Sequence, residues 1–140
     1  MTMTHSAERR ALQCAVALAC FLPLFAGALG IWFSATFIDG VERPFPTDLD
    51  SHFRYLSGLL LGIGLVFAAS IPRIETRTAI FRALGAIIIA GGLARLLSLV
   101  ETGPPTAGHL FGLCMELVVA PLLVLWQGRV ARRHAEAQTR

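Results

Sequence analysis

The chain has 140 residues and a formal net charge of +3; 55% of it is apolar, only 15% charged, and its mean hydropathy is +0.66. A soluble domain runs at roughly 45–50% apolar and about 25% charged, so a water-soluble fold of this size could not cover so much apolar surface. Disorder is excluded by the abundance of material to bury. Three cysteines do not make the paired framework of a small secreted scaffold. An integral membrane protein remains. All twelve basic residues are arginine, and they do not gather on one amphipathic face, so no nucleic-acid surface is expected.

Four apolar stretches follow in chain order, and each is close to the ~20 residues that span a bilayer as a helix. The first covers 11–31, with an extension to Ile38 open. Arg9 and Arg10 precede it and Ala26-Gly27-Ala28 resembles a cleavage site. The run is nonetheless about twice the ~7–15-residue core of a signal peptide, so a retained helix is preferred. Asp39 to Ser51 forms a polar loop with Gly40, Pro44 and Pro46, and Asp50 or Ser51 is placed to cap the next helix. The second span covers 53–71, and Pro72 to Thr78 is a turn. The third span covers 79–100, and Glu101 to Gly108 turns around Pro104 and Pro105. The fourth covers 110–127, and 128–140 is read as a charged cytoplasmic tail that frays or lies on the surface. No stretch alternates at period two over about ten residues, which argues against a membrane barrel. The expected fold class is all-α, an integral membrane four-helix transmembrane bundle forming a single domain over 1–140.

Orientation follows from the arginines. Arg9, Arg10, Arg73, Arg77, Arg82, Arg129, Arg132, Arg133 and Arg140 fall on one side, and Arg43 alone lies in the opposite loops. Short loops rich in Arg stay in the cytoplasm, so both termini are expected there. Asp39, Glu42, Asp48, Asp50 and Glu101 make the outer face locally negative, and Trp32 and Trp126 sit where interfacial belts form.

Two charges fall well inside apolar helices, Arg95 and Glu116. A charge at that depth costs ~2.5–3.5 kcal/mol on insertion scales, so it needs a partner or water. Helices three and four are antiparallel across the 101–108 turn, and the midpoint of 95 and 116 falls between Pro105 and Thr106. The two side chains therefore share a depth ~6–10 Å inside the outer boundary, and an ion pair is the direct inference. Arg54, beside His52 and Tyr55, either joins Glu116 in a two-arginine cluster or snorkels to the outer headgroups. Tyr55, His109 and Ser98 are the candidate neighbours of this polar cluster. The pair has a structural reading, in which it fixes packing and register. It also has a functional one, as an anion, headgroup or proton site.

Glycines accompany these charges. Gly58 and Gly62 follow Arg54 on one face, Gly91 and Gly92 precede Arg95, and Gly112 precedes Glu116, all suited to close helix approach. Packing within the chain is the simpler use, and self-association through Gly58, Gly62 and Gly64 is the other, with Gly64 on a face that leaves room for a partner. Pro23 and Pro121 interrupt the helical bonding of Ala19 and Leu117. Cys14, Cys20 and Cys114 form no CxxC pair and read as small apolar residues. Asp48, Asp50 and His52 alternate, but carboxylates near a helix start more often serve the helix end than a cation. No phosphate loop, HExxH or serine elbow is present. No cofactor, metal or catalytic residue is assigned.

The strings Arg54-Tyr55-Leu56-Ser57-Gly58 with Leu61-Gly62, Gly91-Gly92-Leu93-Ala94-Arg95-Leu96-Leu97-Ser98, and Glu116-Leu117 with Pro121 resemble a family of small bacterial four-helix inner-membrane proteins known as a domain of unknown function. The resemblance extends from the first helix to about Trp126 and departs slightly at Ser57, where the family tends to have glycine. It implies a four-helix unit of the bacterial inner membrane with Arg54, Arg95 and Glu116 as characteristic polar positions, and no reaction. The leading functional expectation is a non-enzymatic accessory or scaffold subunit of a membrane complex, whose partners are the lipid bilayer and other membrane subunits. The alternative is a small anion- or lipid-binding protein or transporter that uses the Arg/Glu cluster. A membrane enzyme of unknown reaction comes third, resting only on Glu116 and His109 lying about two turns apart on one face.

Overall fold

The structure, a computed structural model, describes residues 5–38, 41 and 43–139, excluding the side chains of His5 and Phe37. Asp39, Gly40, Glu42 and Arg140, used above to read the loop and the charge balance, lie outside the described residues. Among the described residues the fold class is all-α, with four helices long and apolar enough to cross a membrane. Helix α1 spans His5–Phe33, α2 Thr47–Ser70, and α3 Thr78–Thr102; the last span consists of α4 (Ala107–Cys114), a π turn (Met115–Val119) and α5 (Ala120–Gln138). At 1.5 Å per residue the 25 residues of α3 reach about 37 Å, enough for a ~30 Å hydrocarbon core.

The helix limits have local causes. Pro46 supplies the fixed φ that starts α2 at Thr47, so neither Asp50 nor Ser51 caps it. Asp50 lies inside the first turn, where a carboxylate complements the exposed N–H groups. A 3-10 turn, Ile71–Thr76, follows α2 in place of an open loop. Gly103 ends α3 with φ +94, a conformation that favours glycine, and two prolines then block continuation. Pro121 has no N–H to give Leu117. The chain widens ahead of it, and the Ala120 N–H reaches back five residues to the Met115 carbonyl. Residues after Gln127 do not fray: α5 continues to Gln138, and Val130 is buried.

The chain divides into two compact units, Met1–Ala15 with Pro72–Arg140, and Val16–Ile71. Within Val16–Ile71 the seam between α1 and α2 is built on small residues. A Cβ at Gly27 would sit 2.7 Å from the Leu61 backbone nitrogen, one at Gly30 would strike the Ser57 hydroxyl, and one at Gly64 would lie 3.1 Å from the Leu24 side chain. Among the described residues a Cβ at Gly58 or Gly62 would meet nothing within 4 Å. Within Val16–Ile71 it is thus Gly64, expected to leave room for a partner, that carries the packing, and Gly58 and Gly62 take no part in it.

In the other unit, α3 packs along the whole of the last span. A Cβ at Gly85 would meet Val124 at 2.6 Å, and one at Gly92 would meet Leu117 at 2.7 Å and the Glu116 Cβ at 2.9 Å. The fully buried Leu12, Ile74, Phe81, Gln127 and Val130 gather at the end of this unit where α3 begins and α5 continues. Along the spans themselves little is covered. Of the most apolar windows of α3 and the last span, 11% and 0% are buried inside the protein, the pattern of helices whose outer faces suit hydrocarbon.

Candidate functional site

Arg95 and Glu116 meet face to face. The Arg95 Nε donates to Glu116 Oε2 and its Nη2 to Oε1, both at 3.0 Å, a bidentate fork. Arg95 lies about 10 Å from the Thr102 end of α3, and Glu116 about 13 Å beyond Ala107. Gly92 admits the Glu116 Cβ and the Leu117 side chain to α3, and the guanidinium lies over Gly112, whose Cβ would be 4.0 Å from the Arg95 Cζ. The π turn carries Glu116, so the widening ahead of Pro121 helps set where the carboxylate is aimed. Among the described residues a Cβ at Gly91, the neighbour of Gly92 on α3, would meet nothing within 4 Å.

The chemistry available to this pair is narrow. Each charge is cancelled by its partner, and both carboxylate oxygens are engaged. The Arg95 side chain is 36% exposed and that of Glu116 19%. The candidate neighbours have other partners: the Ser98 carbonyl accepts from Thr102 Oγ1 at 2.7 Å, and His109 Nδ1 shares a hydrogen bond with Thr106 Oγ1 at 3.0 Å. Tyr55 is exposed, with its ring centroid 6.4 Å from that of His52.

Arg54 has its own set of partners within Val16–Ile71. Its Nε donates to Asp50 Oδ2 at 2.8 Å, and its Nη1 donates to the carbonyl oxygens of Ile31 and Trp32 at the end of α1. Those carbonyls have no helical donor left, so the guanidinium closes the end of α1 while joining it to α2. Arg43 stacks on the Phe45 ring at 5.5 Å. The three cysteines are free, and no group of three or more His, Cys, Asp or Glu able to hold a metal occurs among the described residues.

A second charged constellation, not foreseen from the sequence, lies where α1, α3 and α5 carry their arginines. Glu8 is buried and accepts from Arg129 Nε at 3.1 Å and from Arg133 Nη1; Arg9 pairs with Glu75 at 3.4 Å. Gln127, fully buried, donates through Nε2 to the Ile74 carbonyl at 2.8 Å and to Thr78 Oγ1 at 3.0 Å. The only sequence signal was a lone acid in the first turn of a long apolar helix, followed by arginines more than a hundred residues later.

A family model described as "Domain of unknown function (DUF4345)" matches residues 11–127. No curated protein and no solved structure matches the chain.

Proposed function

The chain belongs to the DUF4345 family, and we propose that this small multi-pass membrane protein is a non-enzymatic accessory or scaffold subunit of a membrane complex. The observation that carries this reading is the closed geometry of Arg95 and Glu116. A bidentate pair, neutral overall and seated over Gly92 and Gly112, sets the register of α3 against the last span. It engages both carboxylate oxygens, so the pair offers a substrate neither a base nor a nucleophile. The helix faces are apolar and largely uncovered, so lipid and neighbouring helices are the surfaces this chain is built to meet. Both termini face the cytoplasm in this reading, because the arginines concentrate at the ends of the helices on that side. The membrane is the bacterial inner membrane.

The test is native extraction in a mild detergent, followed by blue-native electrophoresis and mass measurement of the intact particle. The reading expects a particle of fixed stoichiometry that contains at least one other membrane chain. It also expects the particle to survive in an Arg95→Leu/Glu116→Leu double variant, whose pair is replaced by packing. A chain that extracts alone and loses a measurable transport or binding activity in that double variant contradicts it.

One observation favours a second reading. The Arg95 Nη1 makes no hydrogen bond among the described residues, and a third of the side chain is exposed. An anion or lipid headgroup could take that nitrogen. Binding of such a ligand that disappears in Arg95→Leu while folding persists decides for it.

A further inference from the structure

A groove of about 660 Å³ opens between the start of α3 and the middle of α5, lined among others by Arg82, Leu125, Trp126, Gly128, Arg129 and Arg132. It is separate from the Arg95–Glu116 pair and owes nothing to the reading of the chain as an accessory subunit. Its construction is legible residue by residue. The Gln127 bonds to Ile74 and Thr78 hold α5 against the first turn of α3. One turn further along α3, Gly85 lets Val124 approach closely and closes the floor. Gly128 then removes a side chain just where the groove needs depth: the sole atom a Cβ there would meet within 4 Å is Arg132 Nη1, at 3.8 Å.

The charge in the groove is unbalanced. The nearest carboxylate engaged with it, that of Glu8, is shared between Arg129 and Arg133, and Glu75 is taken by Arg9. Among the described residues Arg82 and Arg132 form no ion pair, and both are exposed. Three arginines therefore line one groove, and the Glu8 carboxylate, shared with Arg133, is the counter-charge engaged with them among the described residues. They do so at the end of an apolar span: Leu122 to Leu125 precede Trp126, and the arginines follow within six residues. A ligand suited to this place has a phosphate for the guanidinium forks and a hydrocarbon body for Leu125 and the Trp126 ring. Basic pockets between membrane helices recognise anionic lipid headgroups by this combination.

The geometry points to a binding site for one anionic phospholipid, with the phosphate held by Arg82, Arg129 and Arg132 over Gly128, and an acyl chain running along Leu125 beside Trp126. The phosphate could in principle come from solution, but a free phosphate leaves the apolar wall of the groove unused.

The site carries its own reporter. The chain has two tryptophans, so Trp32→Phe leaves Trp126 as the sole one. The full chain bearing that change is reconstituted in phosphatidylcholine vesicles, with either brominated phosphatidylglycerol or brominated phosphatidylcholine added at equal mole fraction. Quenching of Trp126 should favour phosphatidylglycerol several-fold. Arg132→Gln should remove most of that preference, since one arginine at an anionic surface is worth about fivefold, and Arg82→Gln/Arg132→Gln should abolish what is left. Gly128→Leu keeps every charge and fills the groove, and should abolish it too. Arg10→Gln, an exposed arginine of α1 outside the groove, should leave it within twofold. Glycerol 3-phosphate in the buffer at millimolar concentration should displace nothing. Equal quenching by the two lipids overturns the proposal, as does a loss in Arg10→Gln matching that in Arg132→Gln. Removal of the preference by glycerol 3-phosphate overturns it in favour of a free phosphate. Should the arginine variants fail to fold, the lipid comparison and the phosphate competition on the parent chain decide by themselves.

Discussion

Removing one member of the Arg95–Glu116 pair should be far worse than removing both. Glu116→Ala strips the guanidinium of both its carboxylate bonds, each 3.0 Å long, and leaves it about 10 Å from the end of α3. A hydrogen bond to a charged group is worth about 1.5–3 kcal/mol, and an unpaired arginine at a helix centre costs ~2.5–3.5 kcal/mol on insertion scales. Arg95 is 36% exposed in the protein and not at the centre of its helix, so snorkelling recovers part of this. A net loss of about 2–3 kcal/mol is expected for Glu116→Ala, and about the same for Arg95→Ala. The double variant Arg95→Leu/Glu116→Leu buries no charge and fills the space with hydrocarbon, so it should fall within about 1 kcal/mol of the parent. Reversible unfolding in mixed micelles, followed by tryptophan fluorescence, gives the four stabilities of the cycle. Single variants costing less than about 0.5 kcal/mol, or a double variant as unstable as the two singles added, would refute the pair as the lock of this hairpin.

The glycine seams give sharper contrasts. Gly92→Ala places a Cβ 2.7 Å from Leu117 and 2.9 Å from the Glu116 Cβ and should cost about 1–3 kcal/mol in the same unfolding assay; Gly91→Ala, with nothing within 4 Å, should be neutral or stabilising. Gly64→Leu should disrupt the α1–α2 contact at Leu24, while Gly58→Leu, facing open space, should leave monomer stability unchanged; equal effects would show that the two faces have been misassigned. Gln127→Leu orphans the Ile74 carbonyl and should cost about 1–2 kcal/mol, read as earlier proteolysis near the Ile71–Thr76 turn.

The deep charges were legible because they are local to one hairpin. Arg95 and Glu116 stand symmetrically about a turn marked by Gly103, Pro104 and Pro105, so pitch alone brings them to similar depth. Composition likewise sufficed for four spans, each long enough and apolar enough on its own. Contacts that close over long sequence separations were not legible. Glu8 and Arg133 are 125 positions apart, and no spacing rule joins them. The glycines of α2 show a related limit: helical periodicity separates the Gly58/Gly62 face from the Gly64 face, but only the neighbour, here Leu24, decides which is covered. Polarity rises after Gln127, and polarity alone points to a tail there. These residues stay helical because Val130 is buried and Arg129 and Arg133 have a buried carboxylate to reach.

The most direct test of the account is a distance between one carboxylate and one guanidinium in lipid. With 13C at the glutamate side-chain carboxyl and 15N in the arginine side chains, solid-state NMR of the chain in phospholipid bilayers should show a short contact from Glu116 Cδ to the Arg95 nitrogens. That contact should vanish in Glu116→Gln and survive changes at Arg54. A bilayer spectrum in which Glu116→Gln removes no such contact would contradict the claim that these two side chains hold α3 to the last span.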